Sequence, residues 1–228
     1  MLTIHGVPLS VHTRKAIVTA ILKKIDYRFE VVIPVIPGNP PSNWSTLSPT
    51  GLIPVMQDGD FTLADLTAIC LYLDRKQPAP SNPPRRHQGL RPRAVVRRLR
   101  RRHHLSACRC IRCSSRRSSD PNIRNVPTDK AVVDDVLTNV QPKILGYLDG
   151  QITGKFLVGD AMTLADIAIV SNFIVYQYLG FEIDAGRYPK LARYLREIAA
   201  TPAFQRALAD EKPFVEQMGL KRDFLAAA

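Results

Sequence analysis

Ser10 stands between a short apolar stretch and the first helical pattern of the chain. A hydroxyl at such a junction can cap the helix. It can also donate a hydrogen bond to an anion beside the positive end of the helix dipole. Asp65 opens a second helical pattern in the same way. Thr163-Leu-Ala-Asp166 has the spacing of a capping box, with Asp in the usual Glu position, ahead of an apolar run; we read it as a helix start and not as catalytic machinery. Further along, Cys108-x-Cys110-x-x-Cys113 lies close to His103 and His104. The ligand types suit zinc, but the first pair is spaced by one residue where zinc sites use two to four, so no metal is assigned.

These residues need elements to hold them. Residues 2–5 read as a strand, 11–24 as an amphipathic helix, and 28–35 as a β-branched strand. A Pro/Asn/Ser loop containing Trp44 follows. Residues 53–57 and 60–63 flank Asp58-Gly59, a hairpin signal, and a helix runs from Asp65 through Asp74. The order βαβ-ββα predicts a parallel pair with a right-handed crossover, extended by a hairpin into a mixed sheet. Beyond residue 129 the pattern is helical throughout: 129–149, 164–179, 189–199 and 203–210. The fold class expected is therefore a small α/β domain over 1–77, a linker over 78–88, and an all-α bundle over 89–228.

Composition sets limits on what this fold can be. The chain has 228 residues, 45% of them hydrophobic, which is enough for a core. No apolar run approaches the roughly 18 residues of a membrane span, and the N-terminus has no secretory pattern. Four cysteines in this length do not make a disulfide framework. A cytoplasmic protein with no membrane partner is expected.

The net charge of +12 suggests a polyanion partner, but its distribution is uneven. Residues 75–119 hold Arg75, Lys76 and thirteen more arginines, with no acidic residue; without them the balance is −3. No aromatic residue is interleaved for base stacking, which counts against a nucleic-acid partner, so a basic nucleic-acid-binding protein acting through this segment stands only as a third reading.

Several stretches resemble one family. His5-Gly-Val-Pro-Leu-Ser10-Val-His-Thr-Arg14 is similar to the start of serine-type glutathione S-transferases. Ser48-Pro-Thr-Gly51-Leu-Ile-Pro54-Val-Met-Gln-Asp-Gly-Asp60 resembles their NPxGxVPxLxDGD stretch, and Leu63-Ala-Asp65-Leu-Thr-Ala-Ile69-Cys-Leu-Tyr-Leu73 resembles their LxESxAIxxYL helix. Phe156-Leu-Val-Gly-Asp160-Ala-Met-Thr163-Leu-Ala-Asp166-Ile is similar to their FLxGxxxSxADI motif.

The resemblance implies a thioredoxin-like first domain, a homodimer, and glutathione as co-substrate for conjugation to a hydrophobic electrophile. It implies that Ser10 stabilises the glutathione thiolate. It places Pro54 after a cis bond from Ile53, with the Val55 backbone turned toward the cysteinyl group, and it puts Asp65 and Leu66 at the γ-glutamyl group. Arg14 is read as surface charge. Two positions depart from the pattern: Leu66 replaces the usual serine, and Leu52 replaces the usual lysine or glutamine. Each departure removes a polar contact, which keeps a non-catalytic scaffold of the same fold as the alternative.

Residues 81–120 match nothing in the family, which has an aromatic, acidic helix there. Codons exist for Val95–Arg102 that, read one base later, encode Trp-Phe-Asp-Asp-Tyr-Ala-Asp. We read the arginine segment as the product of a compensated frameshift, decided by resequencing codons 80–121.

Overall fold

The computed structural model describes residues 1–79 and 130–220. Most of the predicted linker, the arginine segment and the Cys108/Cys110/Cys113 cluster with His103 and His104 lie outside the described residues.

Four strands form one mixed sheet in the order β2-β1-β3-β4. They are β1 (Leu2–Gly6), β2 (Tyr27–Val31), β3 (Val55–Asp58) and β4 (Phe61–Leu63). β1 pairs parallel with β2 and antiparallel with β3, and β3 pairs antiparallel with β4. The predicted mixed sheet is present. β2 ends earlier than expected, before Pro34, which cannot donate to a ladder. The hairpin turn is Gly59-Asp60, one residue later than predicted, because Asp58 still pairs with Phe61. Gly59 carries the positive φ of +61° that the turn requires.

Helix α1 (Val11–Leu22) packs against α3 (Leu66–Lys76) and against the helical part of the chain. It is buried on most of its faces as a result, at Val11, Thr13, Arg14, Ala16, Ile17, Val18, Thr19 and Ala20. A one-turn helix, α2 (Trp44–Leu47), sits in the stretch read as loop. Trp44 and Leu47 there join Val32 and Val55 in a small apolar cluster.

The second part holds α4 (Lys130–Asp135), a π-helical segment (Val136–Val140), α5 (Gln141–Gln151), α6 (Leu164–Tyr178), α7 (Pro189–Ala199) and α8 (Pro202–Gln217). The single helix expected over 129–149 is broken, and Pro142 is the physical reason. It lacks an N–H, and its ring would meet the carbonyl one turn back. α8 runs past its expected end at 210 and through Pro213. Pro213 and Ala209, whose carbonyl loses its helical partner, are both exposed, so water can satisfy the oxygen.

The core is continuous between the two parts. Ile4, Ala16, Ile17, Ile69 and Leu73 share one cluster with Ile167, Ile174, Leu191, Phe204 and Leu208. Among the described residues no helix is long and apolar enough to cross a membrane.

Candidate active site

The sheet register gathers the predicted residues at one end. His5, at the end of β1, pairs with Val55, the first residue of β3. Ser10 follows β1 after a turn closed by the Ser10 N–H on the Val7 carbonyl at 2.9 Å. The β3–β4 ladder ends at Met56–Leu63, one residue short of Val55. Asp65 comes two residues later. Ser10, Val55 and Asp65 thus lie at the same sheet end, with the N-termini of α1 and α3 beside them.

Ser10 is the N-cap of α1, with extended φ/ψ of −70° and 125°. Its Oγ accepts from the Thr13 N–H at 3.4 Å, a long bond, and the residue is half-buried. Capping uses a lone pair, so the hydroxyl proton stays available to donate. Close packing brings α1 to this place: a Cβ on Gly6 would lie 2.4 Å from Thr13 Oγ1. Any larger residue at position 6 would push the first turn of α1 away.

The Ile53–Pro54 bond is cis. The preceding turn is held by Ser48 Oγ donating to the Leu52 carbonyl at 2.7 Å, and by Gly51 at φ +67° with its N–H on the Ser48 carbonyl at 2.8 Å. Pro54 and Val55 are buried, Ile53 and Leu66 half-buried, and Leu52 is 64% exposed. Asp65 is exposed and caps α3, its Oδ1 accepting from the Ala68 N–H at 2.8 Å.

The acidic residue of the predicted capping box is structural. Asp166 is fully buried and accepts four hydrogen bonds, each 2.8 Å long. The donors are the Leu157 and Thr163 N–H groups and the Thr163 and Tyr194 hydroxyls. Burial first, and then the Asp166 carboxylate, push the Tyr194 hydroxyl above its usual range, which keeps it a donor. The capping box predicted at Thr163–Asp166 is present and closes on α7 as well.

Arg14 corrects the sequence reading. It is not surface charge: it is fully buried and paired with Glu211 of α8. A signal was available, since Arg14 lies three and seven residues before Ile17 and Ile21 on the apolar stripe of α1. Its partner, 197 positions away, carried none. His5, also buried, bridges strands: Nε2 lies 2.7 Å from Gln57 Oε1 and Nδ1 3.2 Å from Glu30 Oε2.

Cys70 is the one free thiol among the described residues, and it is buried beside Thr19. Burial pushes its pKa up to about 11, so it is no nucleophile at neutral pH. The unfolded thiol ionises near 9 and the folded one near 11, so this group makes native stability fall as pH rises through that interval. Native protein at pH 8 should leave Cys70 unalkylated, and urea should expose it; peptide mass spectrometry checks both. Among the described residues no group of His, Cys, Asp and Glu could hold a metal ion.

The chain matches the family description "Glutathione S-transferase, N-terminal domain" over residues 9–76 and "Glutathione S-transferase, C-terminal domain" over 123–211. Together the two matches span more than half of the sequence. This chain belongs to the glutathione S-transferase family. Neither match includes residues 77–122.

Glutathione S-transferase Z1 of Arabidopsis thaliana is 29% identical over 205 residues, 84% of each chain. Human glutathione S-transferase theta-1 is 29% identical over 184 residues, covering 78% of this chain and 75% of the relative. A theta class glutathione S-transferase from Xanthomonas axonopodis pv. citri, with glutathione bound, superposes at a TM-score of 0.69 and 25% identity. That superposition covers 90% of this transferase and 96% of the other.

Proposed function

We propose that this transferase binds glutathione at the sheet end holding Ser10, Val55 and Asp65, and joins its sulfur to an electrophilic carbon. The thiolate attacks carbon, a carbon–sulfur bond forms, and the displaced group leaves with the bonding electron pair. The observation that carries this reading is the convergence of two helix N-termini and the unpaired side of Val55 on one end of the sheet, in a chain of this family.

Each residue has one task. Ser10 donates a hydrogen bond to sulfur. A free thiol with a pKa near 8.5 is only about 3% thiolate at pH 7, whereas one shifted down two units is about 75% thiolate. The Val55 backbone pairs with the cysteinyl backbone of glutathione, continuing the ladder that β4 leaves off. Cis Ile53–Pro54 supports this by setting Val55 at the start of β3. Asp65 pairs with the ammonium of the γ-glutamyl group, and N–H groups at the start of α3, near Leu66, take its carboxylate.

Leu52 and Leu66 remove two polar contacts and leave Ser10, Val55 and Asp65 in place, so the catalytic reading is kept over the scaffold. The nucleic-acid reading rests wholly on Arg85–Arg117, outside the described residues. Residues 1–77 serve as the glutathione-binding domain. The protein works as a cytoplasmic homodimer, and its second substrate is a hydrophobic electrophile.

Asp65→Asn separates the site reading from simple capping, because asparagine caps as well as aspartate. Thermal stability should not change, while KM for glutathione should rise about tenfold through loss of one charge-assisted contact. An unchanged KM would remove Asp65 from the site. The overall assignment is tested by conjugation of glutathione to an activated aryl halide, together with retention on immobilised glutathione. No conjugation and no retention would refute it.

A further inference from the structure

The side chain of Arg14 leaves the α/β part of the chain altogether. Its Nε and Nη2 donate to the two oxygens of Glu211 on α8, the second bond measuring 2.6 Å, and its Nη1 donates to the Ser171 carbonyl of α6 at 2.7 Å. The Tyr178 hydroxyl donates to Glu211 Oε2 at 2.9 Å, and the Tyr178 ring centre lies 5.7 Å from the guanidinium carbon. Arg14 is 0% exposed and Glu211 1%. Burial by itself would lower the Arg14 pKa; the Glu211 charge and hydrogen bonds, helped by Tyr178, outweigh it and hold the guanidinium charged.

A buried ion pair is a poor source of stability compared with apolar packing of the same volume. What a two-pronged guanidinium–carboxylate contact supplies is direction. The far end of α1 is tied to α3 by Lys23 with Asp74 and by Thr19 with Cys70, but toward the helical part it meets its neighbours mainly through apolar side chains such as Ala16, Ile17 and Ala20, whose contacts tolerate small slides and rolls. Arg14 does not. It sits one helical turn after Ser10, and its own N–H closes that turn on the Ser10 carbonyl at 2.9 Å. Whatever fixes the Arg14 fork therefore fixes the rotation of the turn that carries the Ser10 hydroxyl.

We propose that the Arg14–Glu211 pair, braced by Tyr178, is a positioning device through which the helical part of the chain sets the Ser10 hydroxyl against the glutathione sulfur. The proposal rests on the assignment of Ser10 above. Arg14 touches no substrate; it acts through the helix turn.

The test is a double-mutant cycle between Glu211→Gln and Ser10→Ala, read by kcat, KM and the pH profile of conjugation on folded protein. Glu211→Gln keeps the volume and loses the charge. It should lower kcat about tenfold on the acid limb of the pH profile, leave KM for glutathione within about twofold, and move the midpoint of the profile up by about one unit. Adding it to Ser10→Ala should cost nothing further, since both act on one hydroxyl. A double variant that loses the product of the two single effects would overturn the proposal. So would a Glu211→Gln enzyme with a lower Tm but an unchanged kcat and pH midpoint. If Glu211→Gln does not fold, Tyr178→Phe takes its place: a smaller loss, about threefold, with an alkaline shift supports the device, and an unchanged profile overturns it. Wild-type behaviour in Ser10→Ala alone would refute the Ser10 assignment itself, an outcome distinct from an additive cycle.

Discussion

Ser10→Ala should lower kcat at saturating glutathione about 25-fold at pH 7 and almost not at all at pH 9. The size and the pH dependence have the same source. Holding a thiol two units below 8.5 takes about 2.7 kcal/mol of differential stabilisation of the anion. If the Ser10 hydrogen bond supplies most of that, its loss returns the bound thiol to about 3% thiolate at pH 7. At pH 9 most of the thiol ionises without help, and the two enzymes converge. The structural cost is small by comparison, because the capping bond to Thr13 is 3.4 Å long. Loss of an N-cap is worth about 1 kcal/mol, and this one should fall at or below that figure. Steady-state rates from pH 6 to pH 9 on both proteins, with circular dichroism melts alongside, separate the two effects. A uniform loss across pH would mean that Ser10 supports the fold and not the thiolate.

Asp166→Ala should be the most damaging single substitution to stability among the structural residues. The carboxylate is fully buried and takes four donors at 2.8 Å, from Leu157, Thr163 twice, and Tyr194. Removing it strands those donors in the interior at about 1–3 kcal/mol each, partly relieved by relaxation. A total near 4 kcal/mol is a large share of the roughly 5–15 kcal/mol that holds a folded chain. For a protein of this size it corresponds to a fall in Tm of about 8–16 °C. Asp166→Asn keeps one acceptor oxygen and should lose about half as much. Because the cluster ties the start of α6 to α7 and includes none of the residues assigned to glutathione, enzyme that remains folded should keep its glutathione KM. Urea titration and thermal melts measure the loss; a change below 1 kcal/mol would mean that solvent reaches the cluster.

How much of this was legible in the sequence follows from the range of each interaction. Local signals were readable: the parallel β1–β2 pair, the hairpin at Asp58–Asp60, the helix starts at Ser10, Asp65 and Thr163. Each depends on residues a few positions apart. The sequence misleads where a neighbour distant in sequence decides the outcome, or where the effect of a proline depends on its surroundings. Arg14 looks like surface charge until α8 brings Glu211 onto it. The apolar spacing over 129–149 looks like one helix, yet Pro142 forces the backbone before it into a π segment. The pattern of α8 ends at 210, yet exposure of Ala209 and Pro213 lets the helix continue to Gln217. The site followed the same division. The motifs mark Ser10, Ile53–Val55 and Asp65 as candidates, but only the β1–β3 register places them at one sheet end. The residues behind the site, Glu211, Ser171 and Tyr178, have no sequence mark that connects them to Ser10.

The most direct test of the Ser10 mechanism is the ultraviolet titration of the glutathione thiolate bound to wild-type protein and to Ser10→Ala. Wild-type protein should show bound thiol ionising about two pH units below free glutathione, and Ser10→Ala should return the midpoint to near the free value. Equal midpoints in the two proteins would contradict the account.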